Sequence, residues 1–310
     1  MYYVYKGDKA YKKGELQEAI DYYNGGLALY PEHYGARFNL GNIYVVYEDY
    51  YAAADAYRKA IEYNPNFTLA RMNLGIVSAE KLGDFDEAIA QYQEIINSRR
   101  HLWFIPFVFS NKKSEKINRG LAYYNMGVAY REKSLYQDVD REHSAEYLRK
   151  AVQAYKNAAK ILKNDYDTRY NLALAYHLAG DYQSAGLNYC EAIELKPMDY
   201  EAHYNLAILL RHLKMYKEAL GELEKAAILV ANGSSDSNTS SYVFDVLNDV
   251  SRTLVSHDEY NYLVEKVDNE PSSNAVTYIN GKIVATDALD RAMLKNFRTC
   301  ETKDFFKKYQ

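Results

Sequence analysis

The chain has 310 residues and a formal net charge of −4, with 42 acidic against 38 basic side chains. That length suffices for a large core, and that charge balance excludes a generally basic nucleic-acid binder. The two cysteines, Cys190 and Cys300, form neither a disulfide framework nor a metal-ligand spacing and read as unremarkable thiols. No apolar run reaches the roughly 18 residues of a membrane-spanning helix.

Taken in chain order, one triplet recurs: Asn39-Leu40-Gly41, Asn73-Leu74-Gly75, Asn125-Met126-Gly127, Asn171-Leu172-Ala173 and Asn205-Leu206-Ala207. Asn39 and Asn73 are 34 residues apart, as are Asn171 and Asn205. A fixed period of that length predicts stacked helical hairpins, an architecture that usually binds other proteins. The array covers 1–233, with repeats at about 1–33, 34–67, 68–100, 120–165, 166–199 and 200–233 and an insertion at 101–119. Position 20 is Ala in each: Ala19, Ala53, Ala88, Ala151, Ala185 and Ala219. Position 24 is Tyr23, Tyr57, Tyr92, Tyr155, Tyr189 and Leu223, and Pro31, Pro65 and Pro197 close three repeats. Proline ends a helix because it has no amide donor and clashes with a preceding carbonyl. Gly14, Gly83-Asp84 and Gly180-Asp181 mark the turn inside a hairpin. Small residues at positions 8 and 20 fit a close crossing of two helices, and the large residues at 7, 11 and 24 form one apolar stripe. The fourth repeat is interrupted near 134–145 by a polar stretch that reads as a lengthened helix or a solvated loop.

This pattern resembles the tetratricopeptide repeat, which places aromatic, Leu, Gly/Ala, Tyr, Ala, Tyr/Phe, Ala and Pro at positions 4, 7, 8, 11, 20, 24, 27 and 32. The resemblance implies an all-α fold: a right-handed α-solenoid of about six hairpins, with a non-enzymatic protein-binding role. It also implies a concave groove lined by positions 2, 5, 6, 9, 12 and 13 of each first helix. Carried over by position, the groove holds Asn39, Asn73, Asn125, Asn171 and Asn205 at position 6. Phe38, Tyr124, Tyr170 and Tyr204 fall at position 5, and Arg131 and Arg211 at position 12. A carboxamide both donates and accepts, so an asparagine ladder suits the backbone of an extended peptide. The alternative is that these asparagines hold the neighbouring hairpin. A clamp for an acidic C-terminal tail is disfavoured, because the first repeat has Val4 and Asp8 where such clamps carry Lys and Asn.

The insertion carries Trp103, Phe104, Phe107 and Phe109 between Arg99-Arg100 and Lys112-Lys113. Three readings stay open: a segment packed over the joint between repeats 3 and 4, a docking surface for a partner or a second copy, and an interfacial membrane contact. The second function that follows is a scaffold acting through 98–119 by self-association or membrane-surface recruitment.

Residues 234–241 form a Gly/Ser/Asn linker. Val243, Val246, Leu247, Val250 and Leu254 have helical spacing and are expected to cap the array, with a further helix at 259–269. Residues 276–284, with Asn280-Gly281 at the turn, read as a β-hairpin. Thr286 or Asp287 starts a last helix through Phe297, and the charged end 302–310 either frays or docks.

No phosphate loop, nucleophile elbow or metal cluster is legible, so neither catalytic residues nor a cofactor or metal is expected. His177 and His212 fall near the groove and read as surface histidines. The expected partner is another protein and not nucleic acid. The default compartment is cytoplasmic, for want of a secretory leader. Met1 already falls at position 2 of the first repeat, so a removed leader or anchor would make the chain membrane-associated or periplasmic.

Overall fold

The computed structural model describes residues 1–98, 112–136, 139–232, 243, 245–247, 249–250, 277–279, 282–284 and 300–309. The chain forms two compact units, Met1–Leu162 and Lys163–Gln310. The first contains α1 (Tyr2–Lys13), α2 (Leu16–Leu29), α3 (Tyr34–Val46), α4 (Tyr50–Tyr63), α5 (Thr68–Glu80), α6 (Phe85–Asn97), α7 (Lys112–Ser134) and α8 (Arg141–Ile161). They pair in chain order as four hairpins, each packed on the next. The second contains the hairpins α9 (Tyr166–Leu178) with α10 (Tyr182–Leu195) and α11 (Tyr200–His212) with α12 (Tyr216–Asn232). A short β-hairpin, β1 (Thr277–Ile279) and β2 (Lys282–Val284), and a terminal helix α13 (Lys303–Lys308) follow.

Local chemistry fixes the helix ends. Asp49, Asp84 and Asp181 accept from the amides of Ala52, Glu87 and Ser184, each at 3.0 Å. These caps start the second helices, each contributing about 1 kcal/mol. The preceding first helices end in a left-handed residue. It is glycine at Gly14, Gly83 and Gly180, but Glu48 (φ 60°) and Lys214 (φ 61°) take the same conformation with a side chain present.

Tyrosine at position 24 builds the core. Tyr23, Tyr57, Tyr92, Tyr155 and Tyr189 are among the largest fully buried side chains, and burying each ring contributes roughly 2–3 kcal/mol. The ring of Tyr57 occupies the space that a Cβ on Gly41 would need, and Tyr92 stands in the same relation to Gly75. The small residue at position 8 therefore makes room for a ring, which is more specific than the helix crossing expected from sequence. The alanines at position 20 are fully buried, as expected.

Several boundaries differ from the sequence reading. Helix α7 begins at Lys112, so residues 112–119, assigned to the insertion, extend the first helix of the fourth repeat by two turns. No Pro or Gly interrupts 112–119, and these residues continue the helix without a break. Within the stretch 134–145, residues 141–145 belong to a lengthened α8 capped by Asp140, the first of the two expected alternatives, while 137 and 138 lie outside the described residues. The aromatic residues Trp103, Phe104, Phe107 and Phe109 lie outside the described residues, as do the 234–241 linker and the helices expected at 259–269 and 286–297.

The cysteines are the clearest correction. Cys190 and Cys300 form a disulfide, with a Cα–Cα distance of 5.3 Å across a sequence separation of 110. Nothing in their spacing signals it, because packing of the terminal segment brings them together. Val243, Leu247 and Val250 are buried in the core of the second unit, where the capping helix was expected; Leu254 lies outside the described residues. The expected β-hairpin pairs Thr277 with Val284 and Ile279 with Lys282; its turn at Asn280-Gly281 lies outside the described residues.

Candidate binding face of the first helices

Positions 2, 5, 6, 9, 12 and 13 recur at offsets of three, four and seven residues, so they share one face of each first helix. In the first unit the asparagines at position 6 are half-buried and engaged with the preceding repeat. Asn39 Nδ2 donates to Asp8 Oδ1 at 3.1 Å and to the Tyr23 hydroxyl at 3.0 Å. Asn73 Nδ2 repeats the arrangement with Asn42 Oδ1 at 3.0 Å and the Tyr57 hydroxyl at 3.4 Å. The two tyrosines in turn donate to Asp8 and Asn42, at 2.8 Å each. The unit of construction is a hook: an acceptor at position 9, the tyrosine of the same repeat, and the asparagine of the next. Burial, reinforced by Asp8, pushes the Tyr23 hydroxyl well above the usual range, and burial pushes Tyr57 to about 12.

The hook stops where its acceptor stops. Position 9 is Ile76 and Val128 in the third and fourth repeats. Asn125 there reaches only Met72 Sδ, at 3.2 Å, and the Tyr155 hydroxyl is buried without a hydrogen-bond partner. In the second unit Asn171 Nδ2 donates to the Asp167 carbonyl at 2.9 Å. Asn205 Nδ2 donates to the Glu201 carbonyl at 3.0 Å and to the Tyr170 hydroxyl at 2.8 Å. The amide groups of the ladder thus hold the protein's own chain. The Oδ1 atoms of Asn39, Asn73, Asn125 and Asn205 accept no hydrogen bond among the described residues.

Around them the face is aromatic and apolar. Phe38, Tyr124, Tyr170 and Tyr204 are half-buried; Phe38 packs on Tyr57 and Phe67, Tyr124 on Tyr155, and Tyr170 on Tyr189. Val46, Leu69 and Leu121, at positions 13, 2 and 2, are 61%, 53% and 41% exposed. Arg131 is largely covered and pairs with Glu132 at 2.7 Å. Arg211 pairs with Asp249 from the segment after the linker, so its guanidinium serves the capping residues. His177 is half-buried, and burial, with His212 nearby, pushes its pKa down.

Position 4 holds a feature that sequence reading passed over. The family prefers an aromatic residue there, and this chain has Arg37, Arg71 and His203. Arg37 donates to the Pro31 carbonyl and Arg71 to the Pro65 carbonyl, both at 2.9 Å. His203 Nε2 lies 3.0 Å from the Pro197 carbonyl, while its Nδ1 lies 2.6 Å from Glu222, whose other oxygen takes Lys225 at 2.7 Å. The signal was a polar residue six positions after a repeat-closing proline. Among the described residues no helix is long and apolar enough to cross a membrane, and no three His, Cys, Asp or Glu side chains could hold a metal ion.

Comparison with known proteins agrees with this geometry. Family models described as the tetratricopeptide repeat match residues 6–46, 35–67, 69–99, 166–198 and 188–237. The chain is 24% identical over 262 residues to the human DnaJ homolog subfamily C member 3, covering 76% of this chain and 49% of that protein. It is 25% identical over 224 residues to a TPR repeat-containing protein of Methanocaldococcus jannaschii, covering 71% and 35%. The chain thus spans about half or less of these relatives' length. Among solved structures it is similar to YrrB, described as a TPR protein with an unusual peptide-binding site. There the identity is 16%, the TM-score 0.50, and the coverage 72% of this chain and 97% of that one. Repeat spacing, buried position-24 tyrosines and these matches agree: the chain belongs to the tetratricopeptide repeat family.

Proposed function

We propose that this chain is a non-enzymatic protein-interaction module whose first-helix face holds an extended or helical segment of another protein. The observation that carries the reading is the exposure of Val46, Leu69 and Leu121 on that face, beside half-buried Phe38 and Tyr124. Single exposed apolar residues are ordinary, but Leu69 and Leu121 share position 2 of successive repeats, with Val46 on the same helix face, and such surface costs free energy in water unless covered. The asparagine oxygens on the same face are left to accept backbone amides of the bound segment, each contributing about 1 kcal/mol net. A protein partner is in keeping with YrrB, a fold neighbour described as having a peptide-binding site.

The test avoids the hook residues, whose loss would disturb the fold. Full-length wild type and the Leu69→Glu/Leu121→Glu double variant are used to select from a displayed library of twelve-residue peptides. Tyr51→Glu, on an exposed position of the second helix α4, serves as the control. Peptides selected by wild type are expected to lose at least about tenfold in affinity for the double variant, from two apolar contacts replaced by charge, and to keep it for the control. Equal binding to all three proteins would overturn the reading.

A further inference from the structure

The terminal segment 300–309 meets α10 at three matched points. Gly186, Cys190 and Glu194 lie four residues apart on one stripe of α10. Phe306 is fully buried, its ring in the space a Cβ on Gly186 would fill. Cys300 is bonded to Cys190, and Lys303 Nζ pairs with both oxygens of Glu194 at 2.6 and 2.7 Å. Steric fit, covalent bond and charge all address the same stripe.

These three contacts are not equally durable. Helix α13 has six residues, too few to persist by itself in water. Phe306 is its one fully buried side chain, and the ion pair is partly exposed. The disulfide is the one covalent tie between the segment and α10, so opening it leaves the buried Phe306 and a partly exposed ion pair to hold a short helix.

We propose that Cys190–Cys300 is a redox clasp that decides whether residues 300–309 stay on α10. With the bond formed, the segment covers Gly186 and Cys190; with the bond reduced, it leaves and bares that stripe. The step is thiol–disulfide exchange with a dithiol. The protein S–S bond breaks, Cys190 and Cys300 each gain one electron and one proton, and the dithiol becomes a disulfide. Both sulfur-bearing residues are buried, so reduction passes through transient opening of the terminal segment and is slower than for an exposed bond.

The experiment is amide hydrogen exchange on the full chain, oxidised with glutathione disulfide and then reduced with dithiothreitol under native conditions. Alkylation after denaturation counts the thiols in each state. The oxidised protein is expected to show no free thiol and protected amides in 303–308. Reduction should free two thiols and speed exchange there at least about tenfold, because a six-residue helix without its covalent tie opens readily. Cys300→Ser should exchange like the reduced protein with or without dithiothreitol. Unchanged protection after complete reduction would show that Phe306 and Lys303 hold the segment without the bond, and would overturn the proposal. So would two free thiols surviving oxidation.

Discussion

Asn73 carries two roles in a single side chain. Its Nδ2 group ties Asn42 and Tyr57 of the preceding repeat, and its Oδ1 accepts no hydrogen bond among the described residues. Asn73→Ala is therefore expected to lower stability by about 1–2 kcal/mol, because Asn42 and Tyr57 lose a shared donor; urea unfolding followed by circular dichroism measures it. Glu222 is expected to make the second unit sensitive to acid. Burial raises its pKa, but His203 and Lys225 outweigh burial and hold it below its ordinary value of 4.5. A depressed folded-state pKa stabilises above the unfolded value, and that contribution is lost as pH falls through the folded value. Melting temperature should thus fall as pH drops below about 4.5. Glu222→Gln should cost about 3 kcal/mol at neutral pH and flatten that dependence; an unchanged profile would remove Glu222 from this role.

At the scale of the element, turns and caps explain why each hairpin closes. Glu48 and Lys214 hold a left-handed conformation that glycine occupies in three other repeats. Glu48→Gly and Lys214→Gly are each expected to raise stability by up to about 1 kcal/mol, offset in part by the greater freedom glycine gives the unfolded chain. Thermal unfolding decides it, and a loss of stability at both sites would refute the strain. The elements were largely legible in the sequence, because proline, glycine and aspartate mark their ends through local chemistry. The start of α7 was missed because no punctuation separates residues 112–119 from the repeat that follows. The hook was half legible: the asparagines stand out by period, but their use depends on whether position 9 offers an oxygen, as Asp8 and Asn42 do and Ile76 and Val128 do not. The Cys190–Cys300 bond was not legible at all, since it depends on where a segment 110 residues away comes to rest.

For the whole molecule, the 34-residue period names the architecture because no single hairpin can bury its own apolar face. The proposed binding face rests on what that stacking leaves exposed. The position-24 tyrosines of the second helices are buried, while Val46, Leu69 and Leu121 of the first helices are exposed. The most direct measurement is an amide-exchange footprint of the full chain with and without a peptide selected on wild type. Protection is predicted in α3, α5 and α7, over residues 34–46, 68–80 and 112–134, with α2, α4 and α6 unchanged. Protection confined to the second helices, with the first helices unaffected, would contradict the account.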